Sequence, residues 1–447
     1  MRENKLDLLI SGGTLITMSA GMEIIENGYV GIRNDSIVEV GPNQEADRKH
    51  RQAKETIDAT GCLVMPGLVN THTHLPMVCF RGLADDLPLI EWLTNHIWPA
   101  ETRFVNKQMV YDGAMLAMAE MIISGTTTFC DGYFFEDSIA EAARVAGMRA
   151  VVGQGFADFI MKDPSAVEKT MAAASRFLER WLSRAPLITP AYFCHSPYTC
   201  SPATLVRVKE AAREAGILYL IHLLENRDEK DIIMKRYGRK PVPHLMDLSV
   251  LDEKTVAVHC NWLAPEDMQV FADRGVKVSH NPESSMKLAS GVAPVPAMLR
   301  QGIAVGIGTD GCASNNDLDM FREMDTTAKI HKVTSLDPTV MDAETVCKMA
   351  TIGGAQVLGM DHLIGSIEKG KKADIILLDM NQPHLTPLYN CYSQIVYATR
   401  GADVKTTIIN GKVIMKDRRL LTIDADIAMK NVNKIAVDII HQKLCQS

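Results

Sequence analysis

Pro66-Gly67-Leu68-Val69-Asn70-Thr71-His72-Thr73-His74 is an apolar run that ends in two histidines alternating with threonine. In extended backbone, side chains two apart leave the same side, so both imidazoles point one way. Two same-side imidazoles are half of a metal site, although an isolated His-x-His more often only hydrogen-bonds locally. The rest of the chain has to supply the missing ligands.

Downstream of this strand, helical and strand patterns alternate. Helical periodicity over 109–123, 138–146, 165–182, 202–215, 265–274 and 294–301 separates β-rich runs at 126–130, 149–152, 191–194, 217–221, 255–258, 276–279 and 303–307. With the opening strand these make eight strands joined mostly by helices, which predicts an α/β fold, a (β/α)8 TIM-like barrel rather than an open doubly wound sheet. No internal repeat points to a solenoid. Short β runs also occupy both chain ends, at 6–10, 14–18, 29–33 and 37–40, then at 373–379, 406–409 and 412–415, with Asn410-Gly411 as a hairpin turn. The expected organisation is therefore one small composite β-sandwich from both ends (1–62 and 366–447, the latter with a terminal helix) around a hydrolase barrel at 63–365. The apolar-patterned segment 427–444 could pack on its own barrel or on a neighbouring copy in a homo-oligomer.

A hydrophobic content of 47% with 23% charged residues excludes a disordered chain. The net charge of -7, from 47 basic and 54 acidic residues with no long basic run, recommends neither nucleic acid nor an anionic membrane as a partner. The start, MRENKLDLLISGG, lacks the apolar core of a signal peptide, and no run approaches a membrane span, so the expected location is cytoplasmic. Ten cysteines scattered from Cys62 to Cys445 without a CxxC pair read as free thiols in a reducing compartment. The 25 methionines read as adaptable core filler.

In such a barrel, functional side chains lie at the C-terminal ends of the strands. Those ends carry His72, His74, His195, His222, His259, His280 and Asp310, six of the chain's 13 histidines and one aspartate. Imidazole nitrogen and carboxylate oxygen suit zinc and similar ions, and a catalytic site keeps one position open for water. His72, His74, His222 and Asp310 are the expected ligands. Glu225, three residues past His222, can turn back to shuttle a proton, whereas its neighbours Arg227, Asp228 and Glu229 read as a solvated loop. Asp310 would also orient or deprotonate the water, and His259 could hydrogen-bond it, core hydrogen bonding being the ordinary alternative for that histidine. Gly306-Ile307-Gly308-Thr309-Asp310-Gly311 fits GxGxxG, but it ends the last strand and enters a polar loop instead of opening a helix in an early βαβ unit. Its glycines are expected to let backbone approach a ligand, not to bind a dinucleotide.

These residues resemble the amidohydrolase superfamily, and more narrowly its 5-methylthioadenosine/S-adenosylhomocysteine deaminase branch. Beyond PGLVNTHTH and GTDG, the likeness rests on Arg81-Gly82-Leu83-Ala84-Asp85-Asp86-Leu87-Pro88, Glu91-Trp92-Leu93, His96-Ile97-Trp98-Pro99-Ala100-Glu101 and His195-Ser196-Pro197-Tyr198. It continues in His280-Asn281-Pro282, Met286-Lys287-Leu288-Ala289-Ser290-Gly291 and Ala313-Ser314-Asn315-Asn316, and covers nearly the whole chain. Triazine hydrolases and other purine-ring deaminases share part of it. The resemblance implies the barrel with its composite sandwich and one divalent ion, zinc foremost with iron, nickel or manganese compatible. It also implies acid/base and water-contacting roles for Glu225 and His259 and substrate contacts by Glu101 and His195. Glu101 has a physical rationale, since one carboxylate can accept both hydroxyls of a ribose. Glu225, Trp92, Gln154 and His280 are expected along the substrate as well. Binuclear relatives carry a bridging modified lysine after strand four; His195-Ser196-Pro197 has none, which favours one metal.

Two positions depart from the branch. Gly153-Gln154-Gly155 stands where an arginine is usual, and a neutral Gln154 would remove a charge-assisted bond to a homocysteine carboxylate. Ser285 replaces a usual asparagine. The expected activity is hydrolytic deamination of an adenosine-type nucleoside: 5-methylthioadenosine, S-adenosylhomocysteine, adenosine or 5-deoxyadenosine. The nearest alternative is the same chemistry on a triazine, pterin or free purine base. A metal-free partner-binding scaffold and a nicotinamide oxidoreductase are the rivals from other classes.

Overall fold

The computed structural model describes residues 5–45, 53–158 and 166–444. Residues 1–4, Ser165 at the start of one expected helix, and Cys445 lie outside the described residues. Eight parallel strands follow one another in chain order: β1 Leu68–Thr73, β2 Thr126–Tyr133, β3 Arg149–Phe156, β4 Ile188–Cys194, β5 Leu218–Leu223, β6 Thr255–His259, β7 Lys277–His280 and β8 Val305–Ile307. β1, β2, β3, β5 and β6 are buried at every residue, the pattern of strands covered by helices outside and side chains inside. The connecting helices end where the sequence tells them to. Pro202–Ala215 starts on a Ser201 cap that accepts the Thr204 amide and stops at Gly216 in the left-handed conformation, returning the chain to β5.

The seam between β8 and β1 matters for the site. Asn70 donates to the Thr309 hydroxyl at 2.7 Å and accepts the Thr309 amide at 3.1 Å, and the Asp310 amide donates to the His72 carbonyl at 3.0 Å. A side chain at Gly308 would meet the His72 backbone at 2.7 Å, so this glycine allows the close approach. The GxGxxG glycines thus bring β8 against the histidine strand. The close approach they allow is thus to the neighbouring strand, where the sequence alone suggests backbone approaching a ligand.

The chain ends build one nine-stranded sheet, in the order Arg419–Leu420, Lys412–Lys416, Val404–Ile409, Ile375–Asp379, Cys62–Pro66, Leu8–Ile16, Ile24–Arg33 and Ser36–Pro42, with Glu55–Asp58 also on Leu8–Ile16. Alternation divides its faces. Val64, Ile375 and Leu377 join the sheet's own core with Ile10 and Ile32, while Leu63, Met65, Ile376 and Leu378 pack into the barrel's core. The runs expected as two strands at 6–10 and 14–18 form one, because Gly12 and Gly13 make a bulge that shifts register against the next strand instead of a turn. Cys62–Pro66 pairs in this sheet, so the sheet extends past residue 63, where the sequence reading begins the barrel. The C-terminal helix Ala425–Leu444 lies on its own barrel, burying Val432 and Ile439 and donating from Asn431 to Asp112 at 3.0 Å. Among the described residues, no helix is long and apolar enough to cross a membrane.

Candidate active site

Four side chains from three places on the barrel rim converge. His72 lies in β1 and His74 just beyond it, their rings edge to face at 4.6 Å between centroids. His222 lies in β5, and its Nε2 faces the His72 Nε2 at 3.2 Å. Asp310, three residues past β8, holds Oδ1 at 3.4 Å from the Nε2 atoms of both His72 and His74. His74 Nδ1 lies 2.6 Å from the Gly132 carbonyl, which can only accept. Nδ1 therefore carries the proton and Nε2 presents a lone pair toward Asp310.

Burial, with His72 beside it, lowers the His74 pKa to about 3, and burial lowers that of His222 well below its ordinary value, so both stay neutral near pH 7. Burial alone would raise the Asp310 pKa, but the His72 bond and the surrounding imidazoles hold its carboxyl well below the usual range. Its oxygens are further fixed by Ser284 Oγ at 2.6 Å and Ser314 Oγ at 2.9 Å on Oδ2, and by the Gly311 amide at 2.8 Å on Oδ1. A converging set of neutral imidazole nitrogens and one ionised carboxylate fits a divalent cation.

His259 ends β6 in the left-handed conformation (φ 72°), as Asp310 does after β8 (φ 61°). Such non-glycine strain is held only where the surroundings over-determine it. His259 Nε2 lies 3.9 Å from Glu225 Oε1, and its donor atom joins His72 and His222 in a second potential ligand group. Burial raises the Glu225 pKa well above its ordinary value, with Asp310 and Glu229 adding to the effect. Burial thus favours the protonated form of this carboxyl beside the cluster.

The cluster opens into a cavity of about 1000 Å³ lined by His74, Glu101, Tyr133, Gln154, Phe193 and His195 among others. A family model described as the amidohydrolase family matches residues 63–414. The chain is 50% identical to the 5-methylthioadenosine/S-adenosylhomocysteine deaminase of Syntrophobacter fumaroxidans, over 98% of this chain and 99% of that one. It is 43% identical to the 5′-deoxyadenosine deaminase of Methanosarcina mazei, over 97% and 98%. The chain belongs to the amidohydrolase family. Among solved structures, it superposes on an adenosine deaminase from Xanthomonas campestris with bound zinc, with a TM-score of 0.95 at 37% identity, covering 98% of this chain and 99% of that one.

Of the residues expected in this amidohydrolase, His74, Glu101, Gln154 and His195 line the cavity, His72, His222, His259, Asp310 and Glu225 are buried in and beside the cluster, and Trp92 and His280 belong to neither group. His195 lines it, with Nδ1 3.0 Å from the Thr199 hydroxyl and its pKa lowered by burial to about 4. Gln154 also lines it, bonded only to the Gly155 carbonyl at 3.3 Å. Trp92, expected along the substrate, is instead buried in the core with its indole N–H donated to the Ala84 carbonyl at 3.0 Å. The chain passes from α-helix Leu89–Trp92 into a π turn, Leu93–Ile97, and this turns Leu93 and Trp98 to the cavity in its place. His280 likewise faces away from the cavity, to His331 on a neighbouring helix at 3.2 Å. The sequence reading missed Phe193, whose ring lies against His72, His74 and His222 at 6.0, 5.9 and 4.9 Å, together with Tyr133, Ser284 and Ser314. Ser284 and Ser314 stand in the quoted or adjoining motifs; only the aspartate they bind gives them meaning.

Proposed function

We propose that this amidohydrolase replaces the exocyclic amino group of an adenosine-type nucleoside with oxygen, releasing ammonia. The observation that carries the reading is the convergence of His72, His74, His222 and Asp310 beside a cavity that His74 and Glu101 both line. The ion proposed is zinc, because imidazole and carboxylate suit it and the similar Xanthomonas protein holds zinc; iron, nickel and manganese tolerate the same ligands. Held by these four residues, such an ion supplies Lewis acidity that can lower the pKa of water to about 7.

The chain's own groups do the rest. Asp310 Oδ1 takes a proton from the attacking water. The protonated Glu225 donates to the ring nitrogen beside the carbon under attack, takes the water's first proton from Asp310 and hands it to the departing amino group, and is reprotonated by the added hydroxyl as that becomes the carbonyl. His259 hydrogen-bonds the oxygen where charge develops, and Glu101 accepts the ribose hydroxyls. The partner is thus a small molecule. Free thiols at all nine described cysteines agree with a cytoplasmic location. Ammonia release from adenosine, 5-methylthioadenosine, 5-deoxyadenosine, S-adenosylhomocysteine, guanine, pterins and aminotriazines tests the reading. Turnover of a nucleoside supports it, and turnover of a bare ring with none from any nucleoside overturns it.

A further inference from the structure

We propose that Tyr133 is a positioning residue that fixes the sugar anchor, Glu101, at a set distance from the reacting end of the cavity, so that its hydroxyl selects substrates with an intact ribose diol. The inference rests on the nucleoside reading above and deepens it.

Tyr133 closes β2 and is buried, yet it lines the cavity. Its ring lies 6.0 Å from the His74 ring, and its hydroxyl donates to Glu101 Oε1 at 2.6 Å. One side chain therefore touches both the ligand cluster and the carboxylate. Its backbone is pinned as well, since the Tyr133 amide donates to the Glu136 carboxylate at 2.5 Å. Glu101 has no such footing. It comes from a separate seven-residue helix, Trp98–Phe104, that follows the π turn outside the barrel. The tyrosine hydroxyl is what ties this helix's carboxylate to the barrel rim.

The pairing leaves the needed capacity. A carboxylate has about four acceptor positions, so Oε1 can take the phenol and one sugar hydroxyl while Oε2 takes the other. The phenol serves as a fixed donor because burial and the nearby Glu101 keep it from ionising. Removing the hydroxyl frees the carboxylate to rotate and leaves the sugar without a fixed anchor. The ring, and with it the contact to His74, survives in Tyr133→Phe.

The experiment compares Tyr133→Phe with the unaltered enzyme on adenosine and on 2′,3′-dideoxyadenosine, with divalent-metal content measured on both proteins. The expected result is a loss of about tenfold in kcat/KM for adenosine, carried by KM, with the dideoxy substrate changed by less than about twofold and metal content equal. Equal losses on both substrates, a loss in kcat with KM unchanged, or a loss of metal would overturn the positioning role. If the unaltered enzyme turns over no nucleoside of the panel, the proposed function itself fails and this inference with it; if it turns over another nucleoside but not adenosine, the comparison is made on that nucleoside and its dideoxy analogue. Turnover with equal losses sinks only the inference.

Discussion

At one end of the cavity, His72, His74, His222 and Asp310 are buried and come from strand ends or the turns directly after them, with Ser284, Ser314 and the Gly132 carbonyl fixing their orientation. Elsewhere in the cavity wall, Glu101 comes from a short helix beyond a π turn, and Lys169, Arg176 and Arg180 come from the helix Ala166–Trp181 that follows β3. The first end is set by barrel register, so moving one ligand means moving a strand. The second is set by side chains on helices outside the strands, where exposed positions such as Arg176 can be exchanged without moving a strand. Such a division lets one reaction serve several substrates.

Substitutions at the two ends should therefore fail differently. His222→Ala should do the most damage, removing the imidazole whose Nε2 faces that of His72 at 3.2 Å. Stoichiometric divalent metal should be lost by elemental analysis and ammonia release should fall to background, on every substrate alike. Retained metal with near-normal turnover would break the contrast at once. Glu225→Gln sharpens it, because the amide keeps the shape and loses the proton. Metal should stay bound while kcat falls by roughly 10²–10⁴-fold.

The register-built end was legible in the sequence for the same reason that it is rigid. Strand ends can be read from apolar runs, and a barrel puts all of them at one mouth, so His72, His74, His222, His259 and Asp310 could be placed together from spacing alone. The recognition end resisted that logic. Trp92 is expected along the substrate by motif likeness, but the change from α to π turns after it puts Leu93 and Trp98 on the cavity and Trp92 in the core. His280 was misread for another reason: it does end a strand, but a histidine on the facing helix claims it. Tyr133 looked like any aromatic closing a buried strand, and nothing local announces that its hydroxyl meets a carboxylate 32 residues earlier.

Glu101→Ala tests the recognition end directly. It removes a charged acceptor of two sugar hydroxyls, so KM for nucleosides should rise about 10–100-fold while a ring without ribose is unaffected. A pH signature follows. Loss of water around Glu101 pushes its carboxyl up to about 7, against the lowering effect of the Tyr133 bond. The carboxylate is the form that accepts both hydroxyls. KM for nucleosides should therefore rise as pH falls through about 7 and level off above it, and Glu101→Gln should abolish that dependence. A KM that stays flat from pH 6 to 8 in the unaltered enzyme would remove Glu101 from sugar binding.

The smallest effect is expected where the cavity meets solvent. Gln154 offers no charge to a carboxylate on the 5′ substituent, and Arg180 is already held by Asp137 at 2.6 Å. Arg176, one turn earlier on the same helix face, lines the cavity with an exposed side chain and offers a cation to such a tail. Water screens an exposed pair to at most about 1 kcal/mol, which is about fivefold. Arg176→Ala should therefore lower kcat/KM for S-adenosylhomocysteine by no more than about fivefold and leave 5-methylthioadenosine, which has no carboxylate, unchanged. A much larger and selective loss would mean that the tail is desolvated when bound, and that the recognition end closes as tightly as the metal end. An equal loss on both substrates would mean that Arg176 shapes the cavity wall without reading the tail's charge.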